Sequence, residues 1–257
     1  MKAIILAAGM GTRLGKYTEN LPKGMLNFNG RSLIEWQIFQ LKKCGIDQII
    51  VVTGYKKEKI NYTGVQYYHN YEYASTNMVE SLLCARKELD SDVLVTYSDL
   101  IFTDRFVKLA LESRADIGVA VDKSWKDYWN LRYGTTEHDL ESLTIKNGRI
   151  AELGKPVSSS SGIDFRYIGI IKFSVKGIQK ALDIYDAKKS KNEKWIQSGK
   201  EFKQGYMTDL LNEVILSGNV VTPIISDGGW IEFDTVADYE IILKKLKEGA
   251  IKDDFFK

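Results

Sequence analysis

The sequence predicts an α/β fold, in which a doubly wound and mostly parallel sheet carries an inserted antiparallel region. Short apolar runs that are rich in β-branched residues and end at turn residues or charges indicate buried strands. These runs are Ala3–Ala8, Ile49–Thr53, Val93–Tyr97 and Ile117–Val121. Parallel strands that are covered on both faces have continuous apolar runs of this kind. Amphipathic stretches between the runs predict the helices that cover them.

The predicted helices are recognised by the residues at their ends. A Ser-x-x-Glu motif at 32–35 predicts a capping box, and Gly45 stands where a glycine in the left-handed conformation would end that helix. Asn-x-x-Glu at 77–80 predicts a second capping box, and Thr-x-x-Asp at 235–238 predicts the start of a final helix. Helices and strands therefore alternate along much of the chain, as a doubly wound sheet requires.

An antiparallel hairpin interrupts this alternation. An Asn-Gly pair at 147–148 separates the apolar segments Leu143–Ile145 and Ile150–Leu153, which is the typical signal of a type I′ turn. Another strand is predicted over Tyr167–Phe173. The stretch Ala187–Phe202 is polar and rich in lysine, and we expect it to form a mobile surface excursion.

Size and composition limit the function classes. The 257 residues suit one domain over 1–257 with an inserted region at approximately 123–206. A formal net charge of +2 gives no support to a nucleic-acid partner. Two cysteines and two histidines without metal-ligand spacing argue against zinc and against a disulfide framework, which predicts a cytoplasmic protein. No stretch approaches the roughly 20 apolar residues of a membrane helix, so we expect no membrane partner.

The first predicted strand runs directly into a glycine-rich segment, which reads Ala-Ala-Gly-Met-Gly-Thr-Arg-Leu-Gly over 7–15. Gly9 and Gly11 permit positive φ and close approach, so that successive backbone N–H groups can converge on phosphate oxygens. Arg13 adds a planar cation, and Lys23 adds a compact one. Two cations beside a phosphate chain suit the charge that develops in phosphoryl transfer.

Two commoner phosphate-binding motifs do not fit this segment. The Walker pattern requires Gly, four residues, and then Gly-Lys-Ser/Thr. Around Gly15, the first of these positions holds Met10 and the last holds Tyr17. The dinucleotide fingerprint requires Gly or Ala three residues after its second glycine, where this chain has Leu14. A tight strand-to-helix turn without a ligand is the structural alternative.

Together with Pro-Lys-x-Met-Leu at 22–26, the segment Leu6–Leu14 resembles the signature of the nucleotidyltransferase family. That family includes sugar-1-phosphate nucleotidyltransferases and the cytidylyltransferases of phosphocholine, phosphonates and related acceptors. The signature spans two phosphate-binding elements and is far more specific than a lone glycine motif. The resemblance covers nearly the whole chain and is weakest over 187–202. It implies a Rossmann-like nucleotidyltransferase fold, a nucleoside triphosphate substrate, Mg²⁺ as the cofactor, and Arg13 and Lys23 as catalytic residues.

Carboxylates at strand ends are the candidate metal ligands, because Mg²⁺ prefers oxygen ligands and α/β sheets bind ligands at the carboxyl ends of their strands. Asp99 and Asp234 each follow a predicted strand. The family resemblance implies that both hold the metal. A turn role for Asp99 and a helix-capping role for Asp234 are the structural alternatives. Asp104 and Asp122 are further acids beside strand ends, and chemistry alone does not rank them lower.

The resemblance implies that the base binds beside the glycine loop and the start of a helix. The run Thr-Asn-Met-Val-Glu-Ser-Leu at 76–82 is most similar to that of cytidylyltransferases with choline- or phosphonate-type acceptors, which favours CTP. Asn77 could satisfy the polar edge of cytosine, and a role as helix cap alone is an equal alternative. The residues implied for nucleotide binding are Leu6, Ala8, Gly9, Gly11, Thr12, Asn77, Met78 and Ser81.

The acceptor site is predicted from the aromatic stretch Trp125–Tyr133. In a helix, Trp125, Trp129 and Arg132 would share one face. The aromatic rings would attract an amine cation, and the guanidinium would bind a phosphate or carboxylate. Ordinary aromatic packing is the alternative. Lys155 matches a family lysine that contacts the acceptor phosphate, with a solvated lysine as its alternative. The predicted pocket is completed by Tyr206, Thr208, Trp230 and Glu232.

These observations predict a Mg²⁺-dependent cytidylyltransferase, which transfers CMP from CTP to a small amine-bearing phosphate or phosphonate and releases pyrophosphate. Within the class, the alternative is a sugar-1-phosphate nucleotidyltransferase that uses UTP or dTTP. From another class, the alternative is a catalytically inactive nucleotide-binding module. The resemblance is also consistent with a homodimer that forms through the inserted region.

Overall fold

The computed structural model describes residues 1–251, and it confirms the α/β fold with a largely parallel central sheet. The strands are β1 Lys2–Ala7, β2 Asn27–Phe28, β3 Arg31–Ser32, β4 Ile49–Thr53, β5 Val65–His69, β6 Val93–Tyr97, β7 Leu100–Phe102, β8 Ile117–Asp122, β9 Glu141–Lys146, β10 Arg149–Pro156, β11 Arg166–Phe173, β12 Thr222–Ser226 and β13 Trp230–Glu232. Seven of them form the central sheet in the order β12-β8-β11-β6-β1-β4-β5. The predicted strands of this sheet agree with the observed ones to within one residue at each end.

Helices connect and cover these strands. They are α1 Leu33–Lys43, α2 Met78–Cys84, α3 Asp104–Glu112, α4 Trp125–Tyr133, α5 Val175–Lys191, α6 Met207–Leu216 and α7 Val236–Lys247. Among residues 1–251, none of the helices combines the length and the apolar character that crossing a membrane would require.

Strand β1 shows why the sheet is buried on both faces. Its alternate residues Ile4 and Leu6 pack in one hydrophobic cluster, together with apolar residues of α2, α5 and α6. Ala3, Ile5 and Ala7 pack in the cluster on the other face, together with α1, α3 and α4. The continuous apolar run of the sequence follows from this two-sided burial. The arrangement is doubly wound, as predicted.

The interior strand β11 runs against the direction of the sheet. It pairs antiparallel with both β6 and β8, while the other neighbours in the sheet are parallel. The predicted hairpin forms a separate two-stranded ladder of β9 and β10, with positive φ at Asn147 and Gly148 as a type I′ turn requires. The predicted boundaries 123–206 of an inserted region remain a prediction, and they enclose both this hairpin and a strand of the main sheet.

The start of the final helix agrees with the sequence, because Thr235 forms a reciprocal capping box with Asp238. At α1 the Ser32 hydroxyl accepts from the Glu35 N–H, which is the forward half of the predicted box. At the start of α2, however, the predicted box with Glu80 is wrong. The Asn77 side chain caps the helix through the Met78 N–H. The Glu80 carboxylate instead accepts from the Tyr185 hydroxyl of α5, at 2.8 Å.

The stretch 187–202 lies at the surface as predicted, since most of its side chains are exposed, but a few buried side chains anchor it to the rest of the structure. The first part of this stretch continues α5, and Lys188 is buried in an ion pair with Glu213 at 2.8 Å. Trp195 is 1% exposed and stacks on Phe202, with ring centroids 6.1 Å apart. These two aromatic side chains pack in the core and hold the segment against it, and the mostly polar composition of the stretch gave no sign of this packing.

Candidate active site

A short antiparallel ladder brings together acids that lie far apart in the sequence. Strand β7 follows Asp99, strand β13 precedes Asp234, and the two strands pair with Leu100 opposite Glu232. The Phe233 N–H donates to the Asp99 carbonyl over 3.0 Å and extends the ladder by one bond. Both acids therefore lie at the same end of the ladder, at the carboxyl end of β6.

Three carboxylates converge at this point. One oxygen from each of Asp99, Glu232 and Asp234 lies within 4.8 Å of the other two. The Lys23 ammonium lies between two of these groups, 2.6 Å from Asp99 Oδ2 and 2.5 Å from Asp234 Oδ1. Sequence reasoning assigned Glu232 to the acceptor pocket and missed its place in this cluster. Its signal was a single charge inside the apolar run at 230–233.

These carboxylates fit a hard divalent cation. Mg²⁺ takes oxygen ligands and typically binds through one or two carboxylates and substrate phosphates. The Asp99 Oδ1 atom is buried and has no hydrogen-bond partner among residues 1–251, although a buried carboxylate oxygen is costly to leave unpaired. Asp99, Glu232 and Asp234 are the residues that could hold the metal.

The cations of the site are strongly coupled to the acids. Burial alone would lower the pKa of Lys23, but the charges of Asp99 and Asp234 outweigh burial and raise it. Burial alone would raise the pKa of Asp234, but Lys23 and Arg13 lower it. Arg13 donates to Asp234 Oδ1 over 2.9 Å while 64% of its side chain stays exposed. Arg13 therefore keeps donors free for a ligand.

Glu232 has a different electrostatic environment. Burial and the adjacent charge of Asp234 raise its pKa to about 7, although Arg132 opposes the shift. The Arg132 guanidinium donates to Glu232 over 2.8 Å and to Asp238 over 2.7 Å, and its side chain is 0% exposed. Arg132 thus holds the Glu232 carboxylate in position from behind.

The glycine loop lies beside these charges. Gly11 adopts φ 63°, and a Cβ atom there would lie 2.9 Å from Lys23 Cβ, so only glycine fits without a shift. The Thr18 hydroxyl donates to the Gly11 carbonyl over 2.9 Å, and Leu14 is fully buried. These contacts fix the loop, so that its backbone can be held ready for a phosphate chain.

All eight residues predicted for nucleotide binding line one cavity of about 270 Å³. The cavity is also lined by Arg13, Lys23, Asp99 and Asp234. Further lining residues that the sequence did not single out are Tyr73, Tyr97 and Ser98. The structure therefore brings the predicted nucleotide residues and the predicted catalytic and metal residues together at one place.

Asn77 occupies this cavity as a helix cap. Its Oδ1 accepts from the Met78 N–H over 2.9 Å, while its amide N–H₂ group donates to no residue within 1–251. The start of α2 is held by the chain before α6, because the Lys203 carbonyl accepts from the Asn77 N–H over 3.1 Å. The cap orients the side chain and leaves two donors for a ligand, so the two roles weighed for Asn77 are compatible.

A second, larger cavity of about 760 Å³ adjoins the first. Both cavities are lined by Arg13, Met78, Tyr97, Asp99 and Asp234. Tyr206 and Thr208 line the larger cavity, as predicted for the acceptor pocket, and so does Glu232. The carboxylate cluster therefore lies where the two cavities meet.

A bulge in β11 makes room for an aromatic ring at this junction. The register of β11 against β8 shifts between Tyr167 and Ile171. Within the shift, Gly169 adopts φ 78°, and a Cβ atom there would lie 2.6 Å from the Tyr97 ring. The Tyr97 and Tyr167 hydroxyls form a hydrogen bond of 2.6 Å. The bulge and this bond fix the Tyr97 ring between the two cavities.

Four residues predicted to form the acceptor pocket lie elsewhere. Trp125 and Trp129 are fully buried in the hydrophobic core of α4, where their indole N–H groups donate to the carbonyls of Ile163 and His138. Trp230 is 4% exposed and donates to Asp122. Arg132 is buried in its ion pairs. The face that the helical spacing predicted is real, but it packs inward because its large rings gain more from burial than from exposure.

The remaining predicted residues are also placed by the structure. Lys155 is exposed between Gly154 and Pro156, and these two neighbours line the larger cavity whereas Lys155 does not. Asp104 pairs with Lys43 and Lys108 away from the carboxylate cluster. Asp122 accepts from the backbone N–H groups of Ser124 and Gly228 as well as from Trp230. Neither acid therefore competes with Asp99 and Asp234.

Comparison with known proteins agrees with this geometry. A family model of the MobA-like NTP transferase domain matches residues 3–149. The chain is 32% identical to the CTP:phosphoglutamine cytidylyltransferase of Campylobacter jejuni over 256 residues, which cover 95% of this chain and 100% of that protein. It is 30% identical to the choline-phosphate cytidylyltransferase of Streptococcus pneumoniae over 253 residues, covering 96% and 99%.

The fold is likewise similar to solved structures. The CTP:phosphocholine cytidylyltransferase from Streptococcus pneumoniae has a TM-score of 0.75 at 26% identity, covering 95% of this chain and 98% of that one. The inositol-1-phosphate CTP transferase from T. maritima shares the fold with a TM-score of 0.70 at 21% identity, and the match covers 96% of each chain.

Proposed function

The chain belongs to the family of MobA-like NTP transferase domains, and from that premise we propose that it is a CTP-dependent cytidylyltransferase. The reaction transfers CMP from CTP to a small amine-bearing phosphate or phosphonate and releases pyrophosphate. Full-length relatives that are cytidylyltransferases of phosphoglutamine and choline phosphate support this choice. A 2-aminoethylphosphonate cytidylyltransferase of Lancefieldella rimae, 26% identical over 243 residues, supports the amine-bearing acceptor.

The junction of the two cavities is the observation that carries the proposal. The smaller cavity contains the glycine loop and Asn77, and the larger one leads away from Arg13, Asp99 and Asp234. A nucleotide in the first cavity and an acceptor in the second would bring the α-phosphorus and the acceptor oxygen together at the carboxylate cluster. The acceptor oxygen attacks in line and pyrophosphate leaves, so no covalent enzyme intermediate is needed.

Arg13 and Lys23 have separate tasks in this reaction. Arg13 is largely exposed and can bind the leaving pyrophosphate through a planar pair of donors. Lys23 is 13% exposed and charged, and it can transfer its hydrogen bonds from the carboxylates to the α-phosphate as charge develops there. Both cations are held by Asp99 and Asp234, and the ladder of β7 and β13 fixes these two acids before substrate arrives.

We extend the proposal to Mg²⁺ as the cofactor, held by Asp99 and Asp234 with Glu232 at the edge of the site. Bound there, the cation would neutralise phosphate charge and orient the phosphate chain. We expect Asp99→Asn and Asp234→Asn each to lower kcat by roughly a hundredfold or more and to weaken Mn²⁺ binding measured by electron paramagnetic resonance. Asp104→Asn, which lies outside the cluster, is the matched control. Near-full turnover and Mn²⁺ binding in both variants would contradict the metal assignment.

A substrate matrix tests the proposed function. Four nucleoside triphosphates are combined with phosphocholine, phosphoethanolamine, 2-aminoethylphosphonate, an amino-acid phosphate and glucose 1-phosphate, and pyrophosphate release is measured. We expect release with CTP and an amine-bearing acceptor. Release only with UTP or dTTP and glucose 1-phosphate would establish the sugar-phosphate alternative, and binding of a nucleotide without release in any combination would indicate an inactive module.

A further inference from the structure

The larger cavity, which the proposed function assigns to the acceptor and which is here called the acceptor cavity, is lined by six carboxylates. Five of them have a partner within the described residues. Asp99 and Asp234 bind Lys23, and Glu232 binds Arg132. Asp209 accepts from Ser198 and from the Tyr206 N–H, and Asp139 lies 3.7 Å from Arg166. The sixth, Glu141, forms neither a hydrogen bond nor an ion pair among residues 1–251.

Glu141 is the first residue of β9 and lies where the hairpin borders the cavity. Its side chain is partly buried, and burial raises its pKa although the charge of Arg166 opposes the shift. Arg166 is itself engaged, because its guanidinium donates to the Asp139 carbonyl over 2.9 Å and lies over the Trp129 ring. An unpartnered carboxylate at such a place is unfavourable until a cation pairs with it.

Resting on the proposed function, we propose that Glu141 binds the cationic nitrogen of the acceptor and thereby selects acceptors that carry an ammonium group. The acceptor phosphate or phosphonate then faces the cluster of Arg13, Asp99 and Asp234 at one end of the cavity, and its ammonium group faces Glu141. Glu141 is in this sense a specificity determinant, and it touches the substrate away from the reacting atoms.

The cavity favours an ammonium group that has N–H donors over a quaternary one. A carboxylate gains most from charge-assisted N–H hydrogen bonds, which a quaternary nitrogen lacks. An aromatic cage would compensate for that lack. However, Trp125, Trp129 and Trp230 lie in the core. The rings that do line the cavity are those of Tyr97, Tyr167 and Tyr206. Tyr97 and Tyr167 pack edge to face against each other, and the Lys200 ammonium already lies over the Tyr206 ring at 5.1 Å.

Calorimetric titration of acceptors tests this inference independently of turnover. The probes are phosphoethanolamine, its uncharged analogue ethyl phosphate, and phosphocholine, each titrated into the CTP-free protein. Glu141→Gln removes the charge and keeps the shape. Glu152→Gln on β10 of the same hairpin is the matched control, because its carboxylate accepts from Ser142 and does not line the cavity. Thermal unfolding of both variants verifies that they fold.

We expect the wild type to bind phosphoethanolamine more tightly than ethyl phosphate and phosphocholine. Glu141→Gln should weaken phosphoethanolamine binding about tenfold or more and leave ethyl phosphate and CTP binding unchanged, while Glu152→Gln should change none of them. Equal losses for phosphoethanolamine and ethyl phosphate, no binding of phosphoethanolamine to the wild type, or a preference for phosphocholine would overturn the inference. If the protein discriminates between these acceptors in binding but releases no pyrophosphate in the substrate matrix, the role of Glu141 is supported and only the proposed function is contradicted.

Discussion

At the scale of single residues, Asn77 shows how one side chain can serve both fold and ligand. Its carbonyl oxygen caps α2, and its amide N–H₂ group has no partner among residues 1–251 and borders the smaller cavity. A cytosine ring presents acceptors at O2 and N3 that such a group can bind. The cap therefore orients the donors before the nucleotide arrives.

Replacing Asn77 by Ser should separate the two tasks. Serine caps helices about as well as asparagine does, so the unfolding temperature should change little. The amide donors are lost, so we expect the KM for CTP to rise about fivefold or more, as the loss of one or two hydrogen bonds implies, with a smaller effect on the acceptor. Steady-state kinetics and thermal unfolding check this, and Asn77→Ala should lower stability as well. An unchanged KM for CTP in Asn77→Ser would show that Asn77 is a cap only.

At the scale of elements, helix α4 packs its aromatic face inward and carries Arg132 with it. The guanidinium joins α4 to β13 through Glu232 and to α7 through Asp238. Three elements are therefore tied together directly behind the carboxylate cluster. The helix that the sequence assigned to the acceptor instead holds the carboxylate cluster in place.

Arg132→Met should destabilise the protein strongly. It leaves buried carboxylates without their partner, which typically costs about 3–5 kcal/mol of unfolding free energy. Arg86→Met is the control, because its pair with Asp186 is exposed and is worth about 1 kcal/mol or less. Urea denaturation gives both values. If Arg132→Met left the stability unchanged and raised the KM for the acceptor, Arg132 would bind the acceptor directly, as the sequence predicted.

The same variant has an expected pH dependence. Burial alone would raise the pKa of Asp238, but the hydrogen bond from Arg132 lowers it. A carboxyl whose pKa is lower in the folded state stabilises the protein above its unfolded pKa of about 4. That stabilisation is lost as the pH falls through the folded pKa. The stabilities of wild type and Arg132→Met should therefore converge at acid pH.

The bulge of β11 permits a second test at this scale. Gly169→Ala combines positive φ with a clash against the Tyr97 ring, whereas Gly148→Ala at the hairpin tip has positive φ and no heavy atom within 4 Å of the new Cβ. Both should lose about 1 kcal/mol or more from backbone strain. Only Gly169→Ala should also lower kcat/KM, because it displaces Tyr97 from the junction of the cavities. Equal kcat/KM in the two variants would show that the position of Tyr97 does not matter for activity.

At the scale of the whole molecule, the sequence predicted the sheet well, and the residues that it grouped for nucleotide binding lie together around one cavity. Short β-branched runs and the loop at 7–15 are recognised from residues that are neighbours in the sequence. Their prediction does not depend on contacts between distant parts of the chain. The acceptor side was predicted poorly, because a face of Trp125 and Trp129 is apolar whether it lines a cavity or a core. Glu232 was placed in the pocket but not in the carboxylate cluster, since its approach to Asp99 depends on a ladder between distant strands.

The sheet order also makes the halves of the chain interdependent. The family model matches residues 3–149, yet the interior strand β11 lies at 166–173, between β8 and β6 in the sheet. A fragment of residues 1–157 would keep β8 with no strand to join it to β6. We expect this fragment to lack the cooperative thermal unfolding of the full chain, followed by circular dichroism. A cooperative transition in the fragment would show that the first half is an independent domain.

The position of Lys23 between Asp99 and Asp234 has a kinetic consequence. A free divalent ion that arrives alone must expel an ammonium group from two carboxylates, and the ammonium group then has no other partner. A nucleotide that brings its own cation offers Lys23 its phosphate at the same moment. We therefore expect the cation to enter as its complex with CTP, so that initial rates at varied Mg²⁺ and CTP follow the concentration of that complex. Rates that require free Mg²⁺ to bind before CTP would contradict this expectation.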